Sequence, residues 1–257
     1  VADALKLTGV VLRTVDYGES DRVVTLLTAE RGKVSAFARA ARASRRRFGG
    51  ALEPFTLLRA EARERRGADL VSLESVAVER GFGAIRGDLA RIACAGYACE
   101  LARELVRDAE PHRELLRLLV EYLARLDAGP AHPTALRAFE LLALGAAGLM
   151  PRLGACARCG GALEAEGRLA FDAAQGGALC AGCAPRASPA APRLAAATLR
   201  ALARLQEGGL ALAGAEPLAP GAGVEAREAL SAFLEHHLGG RLASRRFLDE
   251  VGPLLGG

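Results

Sequence analysis

Tryptophan is absent from this 257-residue chain, and aromatics of all kinds make up only 4% of it. Lysine is nearly as scarce. Lys6 and Lys33 are the only two, so arginine carries almost all of the positive charge. A phosphate-cradling P-loop needs Gly-Lys followed by Ser or Thr. The one Gly-Lys, Gly32-Lys33, is followed by Val34, which excludes a Walker-type ATPase. A Gly-x-Ser-x-Gly nucleophile elbow and a His-Glu-x-x-His metalloprotease helix are also missing. Long apolar runs are lacking too. The longest, 141–150, contains two glycines and falls well short of the roughly 20 residues that span a bilayer. The opening Val1-Ala2-Asp3-Ala4-Leu5-Lys6 has an early acid and no apolar signal core, so a cytoplasmic protein without a membrane partner is expected.

What the chain does contain is a globular balance: 51% apolar and 25% charged residues, in a length that suits two domains. The net charge of +4 is unevenly placed. Residues 1–80 hold fifteen Lys or Arg against eleven Asp or Glu, and the remainder holds nineteen of each. The segment 31–47 carries seven cations (Arg31, Lys33, Arg39, Arg42, Arg45, Arg46 and Arg47) and no acid. A local field of that density points to a polyanionic partner.

The first 80 residues read as five short strands, at 5–15, 22–28, 33–40, 52–62 and 70–78, separated by Gly-containing turns. Five strands in this length fit a small barrel of the OB type, a fold that commonly holds oligonucleotides. From Leu89 the apolar period becomes helical. Helices are expected from 89 to a break before Pro111, at about 113–126, from Pro133-Thr134 onward, and at 194–205 and 224–238. The expected organisation is an OB domain at 1–80 and an α-helical domain at 81–257. The fold class is therefore α+β.

Six cysteines fall into two groups. Cys94 and Cys99 sit five apart on a patterned helix and read as small core hydrophobes. Cys156-x2-Cys159 and Cys180-x2-Cys183 are two CxxC knuckles separated by twenty residues, the spacing of a zinc ribbon at about 154–187. Paired disulfides are disfavoured in a reducing compartment. A thioredoxin-type pair would need a βαβ context that the segment lacks. Four thiolates complete a tetrahedral site, so one structural Zn2+ per chain is expected, with no open position for a catalytic water. His112, His132, His236 and His237 read as exposed or capping residues.

Period two over 33–40 places Lys33, Ser35, Phe37 and Arg39 on one face and Val34, Ala36, Ala38 and Ala40 on the other. The second face suits a barrel interior. The first alternates positive charge with an aromatic ring, as a single-strand groove requires. Arg42, Arg45, Arg46 and Arg47 extend that charge into a loop. Lys33, Phe37, Arg39, Arg42, Arg45, Arg46 and Arg47 are the expected nucleic-acid contacts, with binding dominated by backbone charge and independent of sequence.

In this order the motifs resemble one family, the bacterial RecO recombination mediators. The resemblance rests on Tyr17-Gly18-Glu19-Ser20-Asp21-Arg22, Gly32-Lys33-Val34, Ala38-Arg39-Ala40-Ala41-Arg42 and Leu52-Glu53-Pro54-Phe55. It continues through Arg137-Ala138-Phe139-Glu140, the four-cysteine ribbon with Phe171-Asp172 inside it, and His237-Leu238-Gly239. It implies an ATP-independent, non-enzymatic DNA repair protein that binds single- and double-stranded DNA and anneals complementary strands. It also implies action with RecR to load RecA onto DNA coated by single-strand-binding protein, contact with that protein's acidic C-terminal tail, and a location at the bacterial nucleoid. Arg137 is the residue it suggests for the tail. One position departs from the family pattern: Ala40 stands where these proteins usually have Gly, which argues against a left-handed backbone there. Three other readings compete. A zinc-ribbon transcription or translation module would bind without annealing, a nuclease would use Asp16, Glu19 and Asp21 around Mg2+, and a scaffold would not touch DNA.

Overall fold

The computed structural model describes residues 3–44, 47–64, 70–108 and 110–252. Strands β1 (Asp3–Tyr17), β2 (Asp21–Thr28), β3 (Gly32–Ala38), β4 (Leu57–Glu64) and β5 (Val71–Arg80) close into a barrel in the order β1-β2-β3-β5-β4. β4 returns to β1, and every pairing is antiparallel except that of β3 with β5, through Ala36↔Val71 and Phe37↔Ser72. This is the OB-type topology expected. Alternation in β3 sends Val34, Ala36 and Ala38 inward to meet Leu7, Val24, Leu26, Leu58 and Leu73. Lys33, Ser35 and Phe37 stay half-buried on the outer face.

Two local features depart from the simple strand pattern. The fourth strand begins at Leu57 and not at Leu52. The intervening segment is a loop that plugs one end of the barrel, with Phe48 and Leu52 buried in its core. A plug needs the same apolar residues as a strand, which is why the two look alike in sequence. β1 also carries a bulge between Val11 and Arg13. The extra residue reverses the alternation, so Arg13, Val15 and Tyr17 all turn outward.

By internal contacts the chain divides into two compact units, Val1–Pro130 and Ala131–Gly257. The first contains the barrel with α1 (Leu89–Leu105) and α2 (Arg113–Ala128). Asp88 caps α1 by accepting the Arg91 backbone N–H at 2.9 Å. α1 buries small residues on nearly every side, including Cys94 and Cys99. α2 is amphipathic, buries Leu115, Leu119, Tyr122 and Leu126, and packs on β1 and β2.

The second unit holds α3 (Pro133–Ala146), α4 (Ala196–Ala215), α5 (Pro220–Leu238) and α6 (Ser244–Val251), with a sheet ordered β7-β6-β8. Its strands are β6 (Arg168–Asp172), β7 (Gly177–Leu179) and β8 (Arg193–Ala195). His132 caps α3, its Nδ1 accepting from the Thr134 N–H at 3.2 Å. α4 runs past the helix expected there, through a kink at Gly209, whose φ of 63° needs glycine. Glu225 of α5 accepts from the Ala195 N–H and the Thr198 hydroxyl, and so caps α4 from a neighbouring helix.

Candidate nucleic-acid interface and metal centre

The basic stretch does not act as one surface. Lys33 projects from β3 toward the end of α1, donating to the Arg103 carbonyl at 3.2 Å and pairing with Asp108 at 3.3 Å. Its charge is engaged within the protein. Arg39 and Arg42 are exposed beyond the end of β3, and Arg47 is exposed in the plug loop. Arg47 donates to the Arg39 carbonyl at 2.9 Å and lies 5.2 Å over the Phe48 ring. Arg47 thus ties the plug loop to Arg39, whereas Arg42 donates to the Glu19 carbonyl at 3.2 Å. Arg45 and Arg46 lie outside the described residues.

The acids of the Tyr17–Arg22 turn have structural partners. Asp16 accepts from Arg22 at 3.0 Å and lies 3.9 Å from Arg42, while Arg22 also donates to Glu53 at 2.8 Å. These bonds raise the Arg22 pKa, the Glu53 hydrogen bond most of all. Asp21 turns its carboxylate to the Ala40 N–H at 2.7 Å. That contact sits at a left-handed residue: Ala40 has φ of 54°. The expectation drawn from alanine at this position is thus corrected. The turn keeps its left-handed geometry because Asp21 and the Arg42 N–H to Ser20 carbonyl bond hold it from both sides. Among the described residues, Asp16, Glu19 and Asp21 do not gather into a group that could hold a metal ion.

The four cysteines of the second unit do gather. The Sγ atoms of Cys156, Cys159, Cys180 and Cys183 all lie within 4.8 Å of one another, a cluster that could hold a metal ion. None of the six cysteines, all among the described residues, is in a disulfide. Each knuckle is a tight turn closed by backbone bonds, Gly160 N–H to Cys156 carbonyl in one and Cys183 N–H to Cys180 carbonyl in the other. Gly160, at φ of 75°, makes the first turn possible. The β6–β7 hairpin sets the two knuckles face to face. Asp172 fixes its turn, accepting from the Ala174 and Gln175 N–H groups with one oxygen and from the Ser188 N–H with the other. Gly177 allows Arg152 to pair beside β7, since a Cβ there would sit 2.2 Å from the Arg152 carbonyl oxygen.

The thiols are electrostatically unequal. Burial opposes the Cys156 thiolate, but backbone N–H groups of Cys159, Cys180 and Arg158 outweigh it and lower its pKa to about 6. Burial, reinforced by the neighbouring thiols, pushes Cys183 up to about 12. Burial also pushes Cys99 up to about 12, as befits an inert core thiol.

Arg137 lies within α3, its side chain 5% exposed and paired with the fully buried Glu140 at 3.1 Å. The sequence pattern of the helix explains its burial but not its partner. Tyr17 is the residue that strand periodicity failed to single out. It is 61% exposed and stands 5.9 Å from Phe37, ring edge to ring face. The signal was present in the Tyr-Gly turn, but the β1 bulge disguised which face the ring takes.

Comparison with known proteins agrees with this architecture. The family model described as Recombination protein O N terminal matches residues 3–82, and that described as Recombination protein O C terminal matches 86–246. A protein of Anaeromyxobacter sp. (strain K) named DNA repair protein RecO is 77% identical over 254 residues, covering 99% of each chain. Its namesake in Myxococcus xanthus is 53% identical over 94% of this chain and 96% of the relative. The one in Geobacter sulfurreducens is 42% identical over 97% and 99%. No helix among the described residues is long and apolar enough to cross a membrane. With both halves matched in order and relatives aligned end to end, the chain belongs to the RecO family.

Proposed function

We propose that this protein is an ATP-independent recombination mediator in DNA repair and not an enzyme. It binds single- and double-stranded DNA without sequence preference through the barrel domain at 1–80 and anneals complementary strands. It acts with RecR to load RecA on DNA coated by single-strand-binding protein, at the nucleoid. The observation that carries the reading is the exposed arginine group Arg39, Arg42 and Arg47 beside the open outer face of an OB-type barrel. Cations there offset the repulsion between two phosphate backbones, which is the physical requirement for annealing. Arg45 and Arg46 add to that charge. Lys33 enters the interface by releasing Asp108. The acidic tail of single-strand-binding protein is the proposed partner of the helical domain at 81–257, and Arg137 meets it only if its pair with Glu140 opens.

The cysteine cluster is proposed as a structural Zn2+ site within the module at 154–187. A tetrahedral zinc with bonds of about 2.3 Å holds its sulfurs about 3.8 Å apart. The Cys159 and Cys180 sulfurs are 3.8 Å apart. Cys156, Cys159, Cys180 and Cys183 would bind the ion as thiolates, and the ion would fix the two knuckles to each other.

The test is annealing of complementary strands coated with cognate single-strand-binding protein, without ATP, comparing wild type with a variant carrying Arg45→Ala, Arg46→Ala and Arg47→Ala. Acceleration by wild type that weakens in the variant is expected. If about five cations meet phosphates, log K against log salt should have a slope of roughly −3.5 on single strands. DNA binding with no acceleration would favour a plain binding module.

A further inference from the structure

We propose that Tyr17 and Phe37 form a base-stacking platform on the outer face of the barrel, so that the interface distinguishes unpaired bases from duplex. This rests on the DNA-binding reading above and adds to it a residue and a preference for single strands.

The register builds the platform. Val15 pairs with Val23, and Val23 pairs with Phe37, which makes an apolar row across β1, β2 and β3. Arg13, Thr25 and Ser35 form the next row in the same way. The bulge puts Tyr17 on the same face, two residues beyond Val15. Val15 is 43% exposed and Tyr17 61%. The two rings meet at 81°, an edge-to-face contact that fixes their relative orientation, with Tyr17 the more exposed of the two.

Charge complementarity names the occupant. Exposed Arg13 flanks the aromatic face, and exposed Arg39 lies just beyond the end of β3, two residues after Phe37. Two acids border this face, exposed Glu19 in the turn and Asp21, the register partner of Tyr17. Asp16 and Arg22 pair across β1 and β2 in the opposite phase, toward the barrel mouth, where Glu53 joins them. Asp21 is turned to the Ala40 N–H. An apolar aromatic surface between cations suits a chain of flat rings joined by phosphates. A duplex hides its ring faces by stacking and pairing, so only single strands use the platform.

The chain supplies its own probe. It contains three tyrosines and no tryptophan. Tyr97 and Tyr122 are buried at 1% and 0% exposure, so Tyr17 alone can meet a base. The experiment titrates the full chain with oligo-dT, following tyrosine emission and, in parallel, anisotropy of a labelled oligomer. Inner-filter correction uses free tyrosine amide. Quenching that saturates with binding is expected, and it should vanish in Tyr17→Phe while affinity stays, because stacking needs the ring and not the hydroxyl. Tyr17→Ala should lose about fivefold or more in affinity for oligo-dT, the lower end of one stacked base. Its salt slope and its affinity for duplex should not change, since no phosphate contact is removed. Full binding by anisotropy without quenching, or unchanged oligo-dT affinity in Tyr17→Ala, overturns the platform and leaves the DNA-binding reading intact. Absence of binding to either DNA form overturns both.

Discussion

The barrel and the cysteine module are both small β structures, but they are filled differently. The barrel interior holds Leu7, Val24, Leu26, Leu58 and Leu73, closed at one end by Phe48 and Leu52. The buried cluster of the module is Cys156, Ala170, Leu179 and Cys183, so half of it is thiol. Apolar burial stabilises by roughly 25 cal/mol per Å2, and the module has little such area to offer. Its shape rests on glycine turns, on Asp172 and on whatever the four sulfurs hold. The contrast implies that the two regions fail independently and from different causes.

Metal removal should break the comparison most sharply. Structural zinc contributes on the order of 10 kcal/mol to folding of such a module. Purified protein should carry about one zinc per chain, and strong chelation or Cys180→Ser should open 154–187 to proteolysis. Barrel amide protection should stay unchanged. A fully protected module in metal-free protein would refute the zinc assignment. The reciprocal disruption is Phe48→Ala, which unplugs the barrel and should cost about 3–5 kcal/mol. Denaturant melting should show this loss while zinc content is retained. Equal loss of zinc would mean that the two regions are coupled.

The smallest effect sharpens the barrel side alone. A left-handed alanine is about 1–2 kcal/mol above its relaxed state, and glycine gives back part of this through the unfolded chain. Ala40→Gly should therefore stabilise the barrel by about 0.5–1 kcal/mol, raising its denaturation midpoint. A lowered midpoint would mean that the Ala40 methyl makes a contact worth more than the relieved strain.

What could be read from the sequence, and what could not, follows the range of each interaction. Period two exposed the faces of β3, because adjacent side chains alternate by geometry alone. The CxxC pairs were legible because ligand spacing is local. The β1 bulge was not, since one extra residue changes phase without changing composition. The plug at Phe48 and Leu52 looked like a strand because burial selects residues by polarity and not by backbone. The partners of Lys33 within the protein, Arg103 and Asp108, were not legible because they lie some 70 residues away in sequence. The left-handed Ala40 was hidden for a related reason, its support coming from Asp21 on another strand. α6 is an eight-residue helix, too short to declare itself by period.

The pairing of Arg152 beside β7 and of Arg193 in β8 has a topological meaning. Both ends of the excursion between α3 and α4 are stitched to the same hairpin, one on each side. With strands about 4.8 Å apart, three spacings leave entry and exit roughly 14 Å from each other. The helices therefore see a short bridge, whatever length of chain is stored beyond it. Such an insert can grow, shrink or be lost with little change in the loop-closure entropy of its host, and a designed linker of a few residues across that gap should leave the helices of the second unit folded without the cysteine module.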